Sequence, residues 1–405
     1  MVDQLRANKP KPRKLTWQEH FLRIMKKHKR QLPVHTSILA AVTGGFLVAS
    51  TLYTPAEVPD VERSDNNALT ASFVGDVMLG RHVQDAVDQK GYDHLFEYTD
   101  PFFAASDYAT GNFAHPVIPA DSDLSPNLDL SVNLRAEPES LDVLAERNFK
   151  VMNIANNNIF DYDYLGMTQT RDRFDDHPAI DATGIQTSVP NTGPVTFDHI
   201  RYTELEGSGL TVATIGMSDV IAFDAGVRSN RPGVATFDVF AHVMRAIIEA
   251  SSQSDMVVVH AHWGEYYDSQ VTTRQQEIAA AMVHAGADII VGHNPNVPGP
   301  VEIIDDSVVF YSLGNFIFDQ GWSRSKQSTL AYYELGENGE ASLSLQLFSL
   351  RDAQPRPLMN TSLARLQMEN TFTKMLEDDQ WTKNSDGMIT LTLDHRHILG
   401  LEEGD

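Results

Sequence analysis

The chain has 405 residues, 42% of them apolar, and no cysteine. It is therefore long and apolar enough for a large core, while disulfides, thiolate metal sites and a cysteine nucleophile are excluded. Residues 1–54 carry ten Lys/Arg against two acids, a net of +8, and the remainder carries 21 bases against 53 acids, a net of −32. An acidic body of this kind repels nucleic acid and anionic lipid, which argues against both as ligands, and its self-repulsion is best tolerated at high salt.

The basic segment, residues 1–33, precedes a stretch without Asp, Glu, Lys or Arg from Gln31 to Ala56. Within it, Ile38–Tyr53 is apolar or small, near the lower length limit for a spanning helix. Lys26, Lys27, Lys29 and Arg30 stand before it, and Glu57, Asp60 and Glu62 follow. By the positive-inside rule the expectation is one transmembrane anchor at 34–54, a cytoplasmic N-terminus and an extracytoplasmic body at the cell membrane. A cleaved signal peptide with Val48-Ala49-Ser50 as its processing site is the competing reading. Residues 55–67 form a linker.

In the body, Ala71–Val74 is predicted as a strand ending in Gly75-Asp76. Glu137–Arg147 is predicted as a helix, and Lys150–Ile154 as a strand running into Asn156-Asn157-Asn158. Thr211–Gly216 is a further strand, and Val239–Ser251 a helix with Asp238 placed to cap it. The β-branched run Met256–Val259 is followed by a helix opened by a capping-box pattern, Thr273 to Gln276, and stopped by Gly286. Ile289–Val291 and Val308–Ser312 continue the strand–helix alternation of an α/β domain at 68–340. Pro119–Asn127 reads as a surface loop. Beyond 340 the pattern alternates, in Ser342–Phe348 and, after an Asp386-Gly387 turn, in Met388–Leu393. This predicts a β-rich extension at 341–405 whose half-exposed strands flank the main sheet.

Two strand ends carry the chemistry. His260-Ala-His262-Trp-Gly-Glu follows Met256–Val259, and Gly292-His293-Asn294-Pro-Asn296 follows Asp288–Val291. Imidazoles, amides and carboxylates at the C-terminal ends of buried strands sit where open α/β sheets place their sites, and they are the groups that hold metal ions and activate water.

The ordered segments Ala71–Arg81, Ala105–Phe113, Ala155-Asn156-Asn157 with Asp161-Tyr162, His262-Trp263-Gly264, Ala285–His293 and Phe310–Trp322 together resemble the CapA/PgsA family of poly-γ-glutamate capsule synthesis. That family is a branch of the calcineurin-like metallophosphatase fold. The resemblance covers roughly residues 68–330 and implies a layered αββα domain behind one N-terminal transmembrane helix. It implies metal ligands at Asp76, Asn157, His262 and His293, for one divalent ion such as Mn²⁺ or Zn²⁺, with His262 and His293 as the leading catalytic candidates. It also shows losses. The family's glutamate is Ala114, its proton-donating histidine is Asn158, and two further imidazoles are Asn294 and Asn296. An amide does not titrate, so no general acid stands at 158.

His82, His115 and His260 are additional histidines beside the motifs. Either His115 and His260 rebuild the ligand set, or all three are ordinary surface or strand-end residues. Arg81 either binds an anionic group or pairs with an acid. Asn315 and Asp319 either bind substrate or brace their loop, and Asn156–Asn158 also suits a turn held by side-chain-to-backbone bonds. The resemblance implies an accessory subunit of a membrane poly-γ-glutamate synthesis and export complex, partnered by a cytoplasmic amide ligase and a small multi-pass membrane subunit. The anionic polymer would pass the body in transit. The alternatives are a metal-dependent hydrolase of a phosphoester or of the polymer, and a cell-surface binding module.

Overall fold

The strand Met256–His262 sends Val257, Val259 and Ala261 to one face and Met256 and Val258 to the other, so His260 and His262 follow Val258 by the two-residue period. This alternation builds the body. The computed structural model describes residues 14–51, 57–128, 132–188, 197–221, 225–319, 324–360, 362–384 and 388–401. The chain divides into two units, Met1–Pro55 and Ala56–Asp405.

The body holds two large sheets. The first runs Trp381–Lys383, Ile389–Asp394, Glu340–Arg351, Gln327–Gly336, Asn67–Val77, Tyr108–Phe113, Phe149–Asn153, Asp181–Thr183, with Asn315–Ile317 and Gln354–Pro357 paired off this path. The second runs Val301–Ile304, Ser307–Phe310, Ile289–His293, Met256–His262, Thr211–Ser218, Arg201–Glu204. Parallel pairing fills the half of the first sheet from Asn67 to Thr183 and the middle of the second.

One apolar cluster lies between the sheets, where Phe73, Tyr108 and Val151 of the first meet Val258, Val291 and Phe310 of the second. A second cluster joins the outer face of the first sheet to helices that include His82–Lys90 and Asp163–Asp175. A third joins the outer face of the second sheet to Phe240–Ser251 and Thr273–His284. The layers are helix, sheet, sheet, helix, the αββα order expected. Each fully buried Val, Ile or Phe contributes roughly 1.5–3 kcal/mol, so both strand faces must be covered, as they are.

The tail departs from expectation. Gln327–Gly336 pairs antiparallel with Asn67–Val77, and Glu340–Arg351 pairs with it in turn. The C-terminal strands therefore complete the main sheet instead of flanking it. Ile389–Asp394 alternates buried and partly exposed positions, as expected; the Asp386-Gly387 turn lies outside the described residues.

Two helix starts also differ. Asp238 lies inside a short 3₁₀ turn, Phe237–Val239, preceding Phe240–Ser251, and does not cap that helix. The capping box sits one residue early. Thr272 accepts from the Gln275 N–H at 3.2 Å, and Gln275 Oε1 accepts from the Thr272 N–H at 3.0 Å.

In the N-terminal unit, Trp17–Thr51 is a single 35-residue helix with Pro33 inside it. Among the described residues no helix is long and apolar enough to cross a membrane. Thr36, Ser37, Thr43, Gly44 and Gly45 dilute the apolar half, and the basic cluster occupies the other half.

Candidate functional site

The first wall of the site forms where two segments of the chain pass very close to each other. A Cβ on Gly75 would stand 1.8 Å from the Gly314 carbonyl oxygen. Only glycine permits this approach, which lets the Asp76 N–H bond to that oxygen at 3.0 Å. Pairing then sets Asp76 beside both Asn112 and Asn315. Asn112 is the hub of the wall. Its Nδ2 donates to Asp76 Oδ1 at 2.8 Å, and its Oδ1 accepts from Asn153 Nδ2 at 2.8 Å and Asn156 Nδ2 at 3.1 Å. All four residues are buried. Asn156 Oδ1 accepts from the N–H groups of Asn158 and Ile159, which is the turn read from the sequence.

The second wall carries the imidazoles. Register sets His293 opposite His262 and Val291 opposite His260, so the three rings emerge from adjacent strand ends. The Ser218 hydroxyl donates to the Val220 carbonyl at 2.6 Å and lies 3.1 Å from His262 Nδ1, which leaves His262 Nε2 without a hydrogen in the neutral ring. Burial pushes His262 down to about 4, against the opposing pull of Asp76. His293 Nδ1 stands 3.3 Å from Asp76 Oδ1, is buried and has no hydrogen bond.

Between the walls lies a cleft of about 510 Å³, lined by Asp76, Arg81, Asn112, Ala114, Asn157, Asn158, His262, Tyr266, Asn294, Asn296 and Asp319 among others. Arg81 reaches it from a strained backbone (φ 52°, ψ −128°), and its Nε lies 3.1 Å from Asp319 Oδ2. Strain of this type costs roughly 1–3 kcal/mol and is characteristic of functional loops. Asn157 Nδ2 donates to the Tyr266 hydroxyl at 2.8 Å, which leaves its carbonyl oxygen for a ligand. Asn294 Nδ2 donates to the Trp263 and Gly264 carbonyls, while its Oδ1 is buried without a hydrogen bond.

Asp76, Asn157, His262, Arg81 and Asp319 thus share the cleft, with His293 behind Asp76. Other candidates fall elsewhere. His115 does not offer a ligand, because its Nε2 accepts from the Leu79 N–H at 2.8 Å and its Nδ1 faces the Pro116 carbonyl at 3.3 Å. Burial holds it neutral, down to about 3. His260 has both ring nitrogens engaged, with Thr110 and His293, so it stands behind the site and not in it. His82 is on the surface, 3.0 Å from Asp85. Asn315 is fully buried and donates to the Ser325 carbonyl at 3.0 Å, bracing the loop.

Sequence reading missed Asn112 and Thr110 as positioning groups. The Asn112-Phe113 pair is visible in the sequence, yet what draws the eye there is the absent carboxylate after it. Asp161 enters the sequence reading only within the family likeness, with no role given to it. It is buried, accepts from the Leu134 N–H at 2.6 Å, and burial raises its carboxyl to about 7.

Two ligands of one Zn²⁺ or Mn²⁺ ion, at bonds of about 2.1 Å, stand roughly 3.0–3.4 Å apart. The 3.3 Å between Asp76 Oδ1 and His293 Nδ1 suits that, as does the orphaned nitrogen. Among the described residues, however, no three His, Asp or Glu side chains are grouped to hold a metal. Amide oxygens such as that of Asn157 would have to complete the set, and Ala114 offers no bridging oxygen. The residues fit one weakly held ion and not two.

The four layers, with Asp76, Asp319, several amides and an imidazole lining one cleft, define a layered α/β scaffold protein. The chain belongs to the bacterial capsule synthesis proteins of the PGA_cap family, which residues 70–320 match. It is 36% identical over 387 residues to the PGA biosynthesis protein CapA of Bacillus subtilis (strain 168), covering 96% of this chain and 99% of that protein. It is 33% identical over 395 residues to the capsule biosynthesis protein CapA of Bacillus anthracis, covering 96% and 93%. Among solved structures, TT1561 of Thermus thermophilus aligns with 12% identity and a TM-score of 0.36, covering 70% of this chain and 99% of that one, too loosely to inform function.

Proposed function

We propose that the protein is a membrane-anchored accessory subunit of a complex that synthesises and exports poly-γ-glutamate. Its partners in this reading are an amide ligase on the cytoplasmic side and a small multi-pass membrane subunit. The apolar half of the Trp17–Thr51 helix anchors it, with the basic half inside the cell, and the exposed Ile38, Leu39 and Val42 side chains suit a lipid environment. The acidic body stands outside, where its charge repels the emerging polyanion and favours release over retention.

The observation that carries the non-catalytic reading is the lining of the cleft. Ala114, Asn158, Asn294 and Asn296 occupy positions where hydrolysis needs a bridging carboxylate and titrating imidazoles. A divalent ion held by Asp76, Asn157, His262 and His293 would supply Lewis acidity to a bound carbonyl or phosphoryl oxygen. The close Asp76–His293 pair therefore keeps a second reading in view, a metal-dependent hydrolase acting on a phosphoester or on the polymer.

The test is to purify the full chain from membranes in mild detergent and to measure polymer output with Asp76→Ala and His262→Ala. The accessory reading expects co-purification with the ligase and the multi-pass subunit, and polymer output within about twofold of the unsubstituted chain. Loss of polymer from variants that still assemble with both partners would favour the hydrolase. Failure to retain either partner would overturn the accessory role.

A further inference from the structure

A line of four buried residues crosses from the first sheet to the second and back, and hydrogen-bond direction fixes its polarity. Thr110 has one hydroxyl hydrogen, and it goes to the Val151 carbonyl at 2.7 Å. Toward His260, whose Nε2 is 2.8 Å away, Thr110 can therefore only accept, so His260 Nε2 carries a hydrogen. His260 Nδ1 lies 2.9 Å from His293 Nε2, and the two rings stack with 19° between their planes. A neutral imidazole carries one ring hydrogen, and that of His260 is at Nε2, which leaves a lone pair at its Nδ1. His260 Nδ1 then accepts from His293 Nε2–H. That leaves the lone pair of His293 at Nδ1, on the Asp76 side.

We propose that His260 is a positioning residue: the line Thr110–His260–His293 holds His293 in the one tautomer that presents Nδ1, beside Asp76, to a single divalent cation. His260 thus serves the site from outside the cleft. A ligating imidazole needs its other nitrogen fixed by a partner, and here the partner is a second histidine anchored on a threonine. The inference rests on the one-ion fit and is independent of the complex the protein serves.

The experiment measures Zn²⁺ affinity of the full chain in detergent by competition with a chromogenic chelator, and the His293 tautomer by long-range ¹⁵N–¹H correlation in the Zn²⁺-loaded state. His260→Phe keeps a ring but removes both polar atoms, and is expected to weaken Zn²⁺ binding by roughly tenfold to a hundredfold. His260→Gln, whose amide can donate to Thr110 and accept from His293, is expected to restore at least part of that loss. In the unsubstituted chain the ¹⁵N pattern is expected to show hydrogen at His293 Nε2 and metal at Nδ1. Should His260→Phe fail to fold, Thr110→Val, which removes the acceptor at the far end, carries the same test with a smaller loss. Equal Zn²⁺ affinity in a folded His260→Phe or Thr110→Val variant, coordination through His293 Nε2, or no Zn²⁺ binding by the unsubstituted chain would each overturn the proposal.

Discussion

On the first wall of the cleft, Asn112 spends its amide on Asp76, Asn153 and Asn156, so a single carboxylate is held there among neutral amides. On the second wall, His260, His262 and His293 arise from two adjacent strands of one sheet, and every ring is buried. One wall is held by neutral amides in fixed directions; the other depends on which nitrogen of each ring carries a hydrogen. The difference teaches that ligand-type residues are not ligands until their atoms are accounted for. Of five body histidines near the motifs, His115 and His260 have both nitrogens engaged and His82 faces solvent, which leaves His262 and His293.

The sharpest way to break the contrast is at the amide hub. Asn112→Leu leaves Asp76, Asn153 and Asn156 each short of a buried partner, at roughly 1–3 kcal/mol apiece. A loss of about 4 kcal/mol in urea unfolding is expected, against under about 1 kcal/mol for an exposed control such as Gln276→Leu. A loss no larger than the control's would mean that the amides do not act as one network.

Metal content asks whether the first wall can be converted. The chain purified with Zn²⁺ or Mn²⁺ should hold at most one ion, and replacing Asp76, His262 or His293 by Ala should lower that occupancy. Adding Ala114→Glu with Asn158→His, Asn294→His and Asn296→His should raise it toward two, because a bridging oxygen and three imidazoles are then supplied. Mass spectrometry of the metals decides it. Unchanged occupancy would mean that the loops no longer place these positions around an ion.

His262 on the second wall and the buried Asp161 outside the cleft should respond to pH with opposite sign. His262 titrates at about 4 in the fold and near 6.5 unfolded, so the unfolded chain takes up its proton first. Its contribution to stability is lost as pH falls from about 6.5 to 4, at roughly 1.4 kcal/mol per unit. Asp161, at about 7 in the fold against 3.8, binds its proton more tightly when folded. Its contribution is present below about 3.8 and is lost as pH rises toward 7. Stability measured between pH 4.5 and 6.5 should therefore become less acid-sensitive in His262→Gln and more so in Asp161→Asn. Parallel changes in both variants would refute the assignment of charge to these two groups.

The smallest effect concerns what backs the second wall. Gln275 packs beneath Gly264, where an added Cβ would lie 2.9 Å from its amide nitrogen, and the same side chain closes the capping box with Thr272. Thr272→Ala should cost about 1 kcal/mol. It should leave metal occupancy unchanged; a drop would show that the cap positions the His262-Trp263-Gly264 turn.

The scaffold was largely legible. Runs such as Met256–Val259 and Ile289–Val291 announce buried strands, and the residues after them reach the cleft because strand ends project there. The unread part depends on partners that composition does not name. Nothing around His115 in the sequence indicates that the Leu79 N–H occupies its nitrogen, and nothing marks Thr110 as the end of a histidine line. The shift of the capping box from Thr273 to Thr272 has the same origin, since Thr-x-x-Gln occurs in two overlapping registers, Thr272–Gln275 and Thr273–Gln276, and packing selects one.

The position of Gln327–Gly336 beside Asn67–Val77 carries a consequence for how the molecule comes into being. Partners some 260 residues apart cannot meet until most of the chain has been made, and the strand bearing Asp76 is left with an open edge meanwhile. A fragment ending at 320 would contain every cleft residue named above and still lack the neighbour that closes that edge. Truncation at 320 is therefore expected to give a fragment that associates with its own copies through that edge, unless the strands from Gln327 onward are supplied to cover it.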